Sequence, residues 1–256
     1  YDSEEGYYAT VYANQDLTVE LVGTNSLKQT ASESNGIYVG VDGSKEKLTI
    51  QGDGSLNVTG TFKGIAARGA VTVNGGTIIS TATDGGKFYS ISICSERESV
   101  IINGGNVTVS GDYGLYPLNG YCEIYGGTVT ATGIERAIRY NSSYGSFTVA
   151  EGMNIQASTT VDGELGEYVA ANLDSYKKIV VRPAPEVYVG GVGMCDGDYL
   201  AVGATATQTT KPSGGYAYYK DGKLTLNNYS YEGKGYLFYD SEEGYYATVY
   251  ANQDLT

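Results

Sequence analysis

An all-β solenoid is the fold the sequence predicts: a right-handed parallel β-helix of about eight coils, each of three short strands, with a small strand-rich connector or cap. Three observations predict it. A short alternating phrase recurs along the chain, doubled glycines often close it, and residues 1–18, YDSEEGYYATVYANQDLT, return letter for letter as residues 239–256. Alternation places successive side chains on opposite faces of a strand, so a recurring alternating phrase reads as one strand laid down once per coil.

The phrase appears as DLTVEL at Asp16, KLTIQG at Lys47, AVTVNGG at Ala70, SVIINGG at Ser99, YCEIYGG at Tyr121, SFTVAEG at Ser146 and KLTLNN at Lys223. Its second inward aliphatic serves as a marker. The markers Val19, Ile50, Val73, Ile102, Ile124 and Val149 are separated by 31, 23, 29, 22 and 25 residues, which suits a coil with loops of variable length. A second strand follows the marker in SLNVT from Ser55, TIIST from Thr77, NVTVS from Asn106 and TVTAT from Thr128. A third precedes it in GIYVG from Gly36, GIAAR from Gly64, GLYPL from Gly114 and AIRY from Ala137. Stacked coils then bury columns of Val, Ile, Leu and Ala while backbone hydrogen bonds run along the axis at roughly 4.8 Å per coil.

The pairs Gly75/Gly76, Gly104/Gly105 and Gly126/Gly127 fall between the first and second strands. A sharp corner there calls for positive φ and close stacking that a Cβ obstructs, so these glycines read as structural corners and not as a nucleotide loop.

The rhythm breaks over Val187–Tyr219. The expected organisation is solenoid coils over 1–185, a connector or cap over 186–219, and the first coils of a following solenoid over 220–256. The linker candidate is Arg182–Gly193, RPAPEVYVGGVG, and the repeat unit is expected to begin near Glu186. Eighteen identities in a row exceed what related coils retain, so the chain reads as a window on a tandem array with a period of 238 residues.

Net charge is −13, and one period carries −9 because the returning segment holds four acids and no base. Without clustered Lys and Arg, neither nucleic acid nor a bare anionic membrane is an expected partner. No apolar run is long enough to span a bilayer. Cys94, Cys122 and Cys195 make an odd set without a C-x-x-C pair and read as small buried apolar residues.

Taken together, VYVGGVGM, DGKLTLNNYSYEG, DLTVELVGTNS, KLTIQGDGSLNVTG, VTVNGGTIIS and IYGGTVTATG resemble the tandem β-helix surface proteins of Gram-positive, clostridia-like bacteria labelled carbohydrate-binding domain-containing. The resemblance covers nearly the whole period. It implies a secreted or wall-attached protein and carries over no functional residue.

Parallel β-helices also host polysaccharide-degrading enzymes, but their acid/base sites need clustered carboxylates with His or basic support. Here His is absent, and Arg97, Arg136, Arg139 and Arg182 are expected on separate loops, so no catalytic residue is assigned. No cofactor is expected beyond calcium, for which Asp196 and Asp198 of a D-G-D turn are the candidates; turn chemistry alone also accounts for that pattern. Tyrosines are the better surface candidates. Tyr38, Tyr116 and Tyr140 are expected to recur in the third strand, and Tyr7, Tyr8 and Tyr12 cluster in the repeated segment, either stacking on sugar rings or packing repeat against repeat. Asn57, Asn106, Asn141 and Asn228 open Asn-x-Ser/Thr triplets expected to stay unmodified.

The functional expectation is a non-enzymatic repeat unit of a long extracellular bacterial filament, stalk or adhesin, stacked head to tail on identical neighbours. The alternative is a polysaccharide-binding surface module using an exposed tyrosine face.

Overall fold

The structure is a computed structural model that describes residues 8–83, 89–208, 210–240, 243–252 and 255. The chain divides into two compact units, Tyr1–Pro183 and Ala184–Thr256.

The first unit is a three-walled β-solenoid. Its first wall is a six-stranded sheet of Leu17–Leu21, Leu48–Gly52, Val71–Val73, Val100–Ile102, Cys122–Ile124 and Phe147–Val149, paired parallel throughout. The registers set Val19 on Ile50, Ile50 on Val73, Val73 on Ile102, Ile102 on Ile124, and Ile124 on Val149, so the six sequence markers form one column. Its four central members are fully buried, whereas Val19 and Val149 at the ends are only partly so. Each buried aliphatic of this kind stabilises by about 1.5–3 kcal/mol relative to exposure.

The second wall stacks Thr24–Lys28, Ser55–Gly60 and Thr77–Ala82 on the first halves of the long strands Asn106–Pro117 and Thr128–Ile138. The third stacks Tyr8–Ala13, Ser34–Val39, Lys63–Ala67 and Ile91–Ser95 on their second halves. The long strands turn from wall to wall with a register irregularity between Gly111 and Tyr113, which merges both walls into one sheet. Polar groups at that inner corner satisfy each other. The buried Ser80 hydroxyl donates to the Ser92 carbonyl at 2.9 Å, and Ser92 returns a bond to the Ser80 carbonyl at 2.6 Å.

At the other corner, Gly76, Gly105 and Gly127 hold φ of 82°, 89° and 78°. Gly75, Gly104 and Gly126, the first of each pair, do not. A Cβ on Gly127 would stand 2.2 Å from the Gly105 carbonyl oxygen of the coil before, so both backbone sense and stacking distance require glycine there.

The solenoid has about five turns, not the eight expected. Two stretches account for the difference. Met153–Ser158 would continue the second wall, but Lys178–Pro183 inserts antiparallel between it and Thr128–Ile138. With the short Gly166–Glu167 strand, the 3-10 turn Ala170–Ser175, and the aromatic contacts Phe147–Tyr168 and Tyr168–Tyr176, these residues cover that end of the core. The second stretch begins at Lys220: the described strands Lys223–Asn227, Tyr236–Asp240, Glu243–Ala247 and Val249–Ala251 pair antiparallel and belong to the second unit.

The second unit is an antiparallel assembly of short strands. Val187–Val189 lies between Val192–Met194 and Val249–Ala251. Tyr199–Ala201, Tyr216–Lys220 and Lys223–Asn227 form a meander, and Tyr236–Asp240 pairs with Glu243–Ala247. Asp221 and Gly222, both at positive φ, close the hairpin that turns KLTLNN away from a parallel coil. Val187, Val189, Met194, Leu200, Ala217 and Tyr219 make the core.

Candidate functional site

A cleft of about 590 Å³ opens on the third wall of the solenoid, near its covered end. One side is Tyr116 with the turn carrying Leu118 and Asn119. The other is the strand end and loop Arg136–Ser142, and the 3-10 turn contributes Ala170, Ala171, Leu173 and Asp174. Leu173 is buried and anchors that turn to the core.

Coil register assembles the site. Leu115 pairs with Ile138, which brings Arg139 beside Tyr116 although 23 residues separate them. The Arg139 guanidinium lies 4.7 Å from the centre of the Tyr113 ring and 4.9 Å from that of Tyr116, and it donates to the Tyr113 hydroxyl. Tyr113 is buried and meets Tyr116 edge to face at 5.3 Å, so it fixes the cleft-lining ring from beneath. Burial pushes the Tyr113 phenol up, and the Arg139 charge partly offsets this. Arg136 is ion-paired with Asp174. Among the described residues no carboxylate pairs with Arg139. Asn119 donates to the Glu96 carbonyl at 3.1 Å, and the Asn141 side chain accepts from the Ser143 amide at 3.1 Å. Aromatic, guanidinium and amide groups held by second contacts make a cleft suited to a polar ligand with flat apolar faces.

The predicted tyrosines do not form one row. Tyr12, Tyr38, Ala66, Cys94 and Tyr116 follow each other in register up the third wall, so two small residues separate Tyr38 from Tyr116. Tyr12 and Tyr38 stack at 6.4 Å with planes 5° apart. Tyr38 is nevertheless buried, with Lys63 and Arg68 near its ring at 5.7 and 6.0 Å; both cations pair with Glu96, at 2.5 and 2.6 Å. Tyr140 follows the third-wall strand, packs against the main core and also lines the cleft. Tyr8 is exposed on the first coil, and Tyr7 lies outside the described residues.

Asp196 and Asp198 both serve the backbone. Asp198 accepts from the Cys195 amide at 3.0 Å and Asp196 from the Asp221 amide at 2.6 Å, and no group of three metal-ligating side chains occurs among the described residues. Arg136 and Arg139, expected on separate loops, line one cleft. Asn119 and Asp174 carried no local signal, and Asn141 stood out only for its triplet.

Fold and cleft together define a β-solenoid with a polar cleft lined in part by tyrosines. The chain belongs to the family described as carbohydrate-binding domain-containing protein, whose profile matches residues 1–181. That stretch contains every residue of the cleft. No curated protein and no solved structure matches the chain. No helix among the described residues is long and apolar enough to cross a membrane.

Proposed function

We propose that the chain is a polysaccharide-binding module acting outside the cell, with the Tyr116–Arg139 cleft as its sugar site. The observation that carries this reading is a cleft, inside the family-matched region, where Tyr116, Tyr140, Arg139 and the amides of Asn119 and Asn141 line one surface. Sugar rings offer an apolar face to tyrosine and hydroxyl pairs to guanidinium and amide groups. The reading is non-catalytic. Glycoside hydrolysis generally uses two carboxyl groups across the scissile bond, whereas the cleft lining holds one, Asp174, committed to Arg136.

Affinity electrophoresis of the full chain through gels containing soluble wall and plant polysaccharides tests this. At least one polysaccharide is expected to retard the chain, and Tyr116→Ala or Arg139→Ala to weaken retention about tenfold or more while circular dichroism stays unchanged. Absence of retardation by every polysaccharide, or undiminished binding in both variants, overturns it.

The return of residues 1–18 as 239–256 favours a second, compatible reading: a repeat unit of an extracellular filament or stalk, in which weak sugar contacts gain avidity by repetition.

A further inference from the structure

The repeated segment occurs in both units, and its two settings use opposite edges of the same strand. In the solenoid, Tyr8–Ala13 is the terminal strand of its sheet and pairs parallel with Ser34–Val39. The Gly40 amide donates to the Ala13 carbonyl at 2.7 Å. Peptide groups alternate between the two edges of a strand, so Val11 and Ala13 point theirs toward the second coil while Thr10 and Tyr12 point theirs away. In the second unit the same letters, now Val249–Ala251, pair antiparallel with Val187–Val189. There the Gly190 amide donates to the Thr248 carbonyl at 2.7 Å, and the Asn252 amide to the Glu186 carbonyl at 3.0 Å. Thr248, Tyr250 and Asn252 correspond to Thr10, Tyr12 and Asn14. Among the described residues, the edge bonded in the second unit is therefore the edge left open in the solenoid, and the reverse also holds.

The two faces match as well. In the solenoid Val11 and Ala13 pack on the aliphatic core, and Tyr12 stacks outside on Tyr38. In the second unit Ala251 packs on the core built from the fully buried Val187 and Val189, while Tyr250 lies on the side of Tyr188 and Tyr236, at 6.3 and 5.2 Å. Register sets Val189 against Val249, Tyr188 against Tyr250 and Val187 against Ala251, just as Ile37, Tyr38 and Val39 stand against Val11, Tyr12 and Ala13.

We propose that this strand is a shared junction between copies. One edge takes the Val187–Val189 strand of the preceding copy, the other takes the second coil of the following copy, and a single sheet runs through both. The aliphatic side of the second unit then closes the core column left open at Val11, Leu17, Val19 and Leu27, and its tyrosine side extends the Tyr12–Tyr38 stack. The occupant of the open first-coil edge is a second copy of this chain. This rests on the repeat reading and is independent of sugar binding.

The test compares the 256-residue chain with a longer one in which residues 19–183 follow Thr256, using hydrogen exchange resolved by residue. In the 256-residue chain the Tyr250 and Asn252 amides are expected to exchange at least tenfold more slowly than those of Tyr12 and Asn14. In the longer chain the Val249 and Ala251 amides become protected while Tyr250 and Asn252 stay protected. A Val189→Cys, Val249→Cys disulfide should form in both chains. Loss of protection at Tyr250 and Asn252, with loss of the disulfide, once the second coil is present overturns the proposal. So does a longer chain in which Val249 and Ala251 remain unprotected although its added solenoid is folded by circular dichroism. Neither readout involves sugar, so a failed polysaccharide test leaves this one intact.

Discussion

One sequence occupies two environments in this molecule. As Tyr8–Ala13, the stretch YATVYA is a parallel solenoid strand with its valine on an aliphatic core; as 246–251, it splits between a hairpin strand and the short antiparallel strand Val249–Ala251. Tyr12 stacks on one tyrosine, whereas Tyr250 sits among Tyr188, Tyr236 and Phe238. Alternation thus dictates an extended backbone and which side chains share a face. It does not dictate the partner, its direction or the edge used. Those come from what else in each unit needs covering: stacked isoleucines and valines in the first, a small valine, leucine and tyrosine core in the second.

The largest difference between the units should appear in their cores. Ile102 is fully buried in mid-column, so Ile102→Ala is expected to cost the solenoid about 2–5 kcal/mol through lost transfer energy and the cavity left behind. Urea unfolding followed by circular dichroism and by tyrosine fluorescence should show the solenoid transition moving and that of the second unit staying in place. A common shift of both would mean that the units unfold together.

The same contrast explains what was legible in the sequence. Val19, Ile50, Val73, Ile102, Ile124 and Val149 could be aligned because each coil repeats one inward aliphatic on the first wall, and the structure pairs each with the next. The coil count could not be read. Met153–Ser158 and Lys223–Asn227 alternate as well as any solenoid strand, and their antiparallel partners are chosen by turns such as Asp221–Gly222 and by the need to cover an open core. Half of the cleft was visible for a related reason. Tyr116 and Tyr140 stand out by residue type, whereas Arg139 beside Tyr116 depends on coil stagger, and Asp174 on a 3-10 turn with no apolar period of its own.

Buried thiols give a second way to separate the units. Burial lifts the Cys94 thiol to about 12, only partly offset by the Lys63 ammonium, and burial also raises Cys122. Unfolded thiols ionise near pH ~8.5. Because the folded values are raised, this stabilisation is complete below that pH and is lost as pH rises toward the folded values, by about 2 kcal/mol per thiol at pH 10. Between pH 7.5 and 10 the solenoid's urea midpoint should therefore fall further than that of a Cys94→Ala, Cys122→Ala double variant. Equal falls would show that the thiols are not shielded from ionisation.

The smallest effect is the sharpest probe of the repeated segment. Val11 packs partly against the solenoid core, whereas Val249, the same residue of the same sequence, is 37% exposed. Val11→Ala is expected to lower solenoid stability by about 1 kcal/mol, and Val249→Ala to lower that of the second unit by no more than about 0.5 kcal/mol. Residue type and local sequence are identical at the two sites, so a difference in the stability lost, taken as midpoint shift times m for each unit, reports the surroundings of the strand. Equal costs would mean that intrinsic strand preference, not the neighbouring core, sets the stability of this strand. If the segment is a shared junction, appending residues 19–183 after Thr256 should raise the cost of Val249→Ala toward that of Val11→Ala, because Val249 then faces a solenoid core of its own.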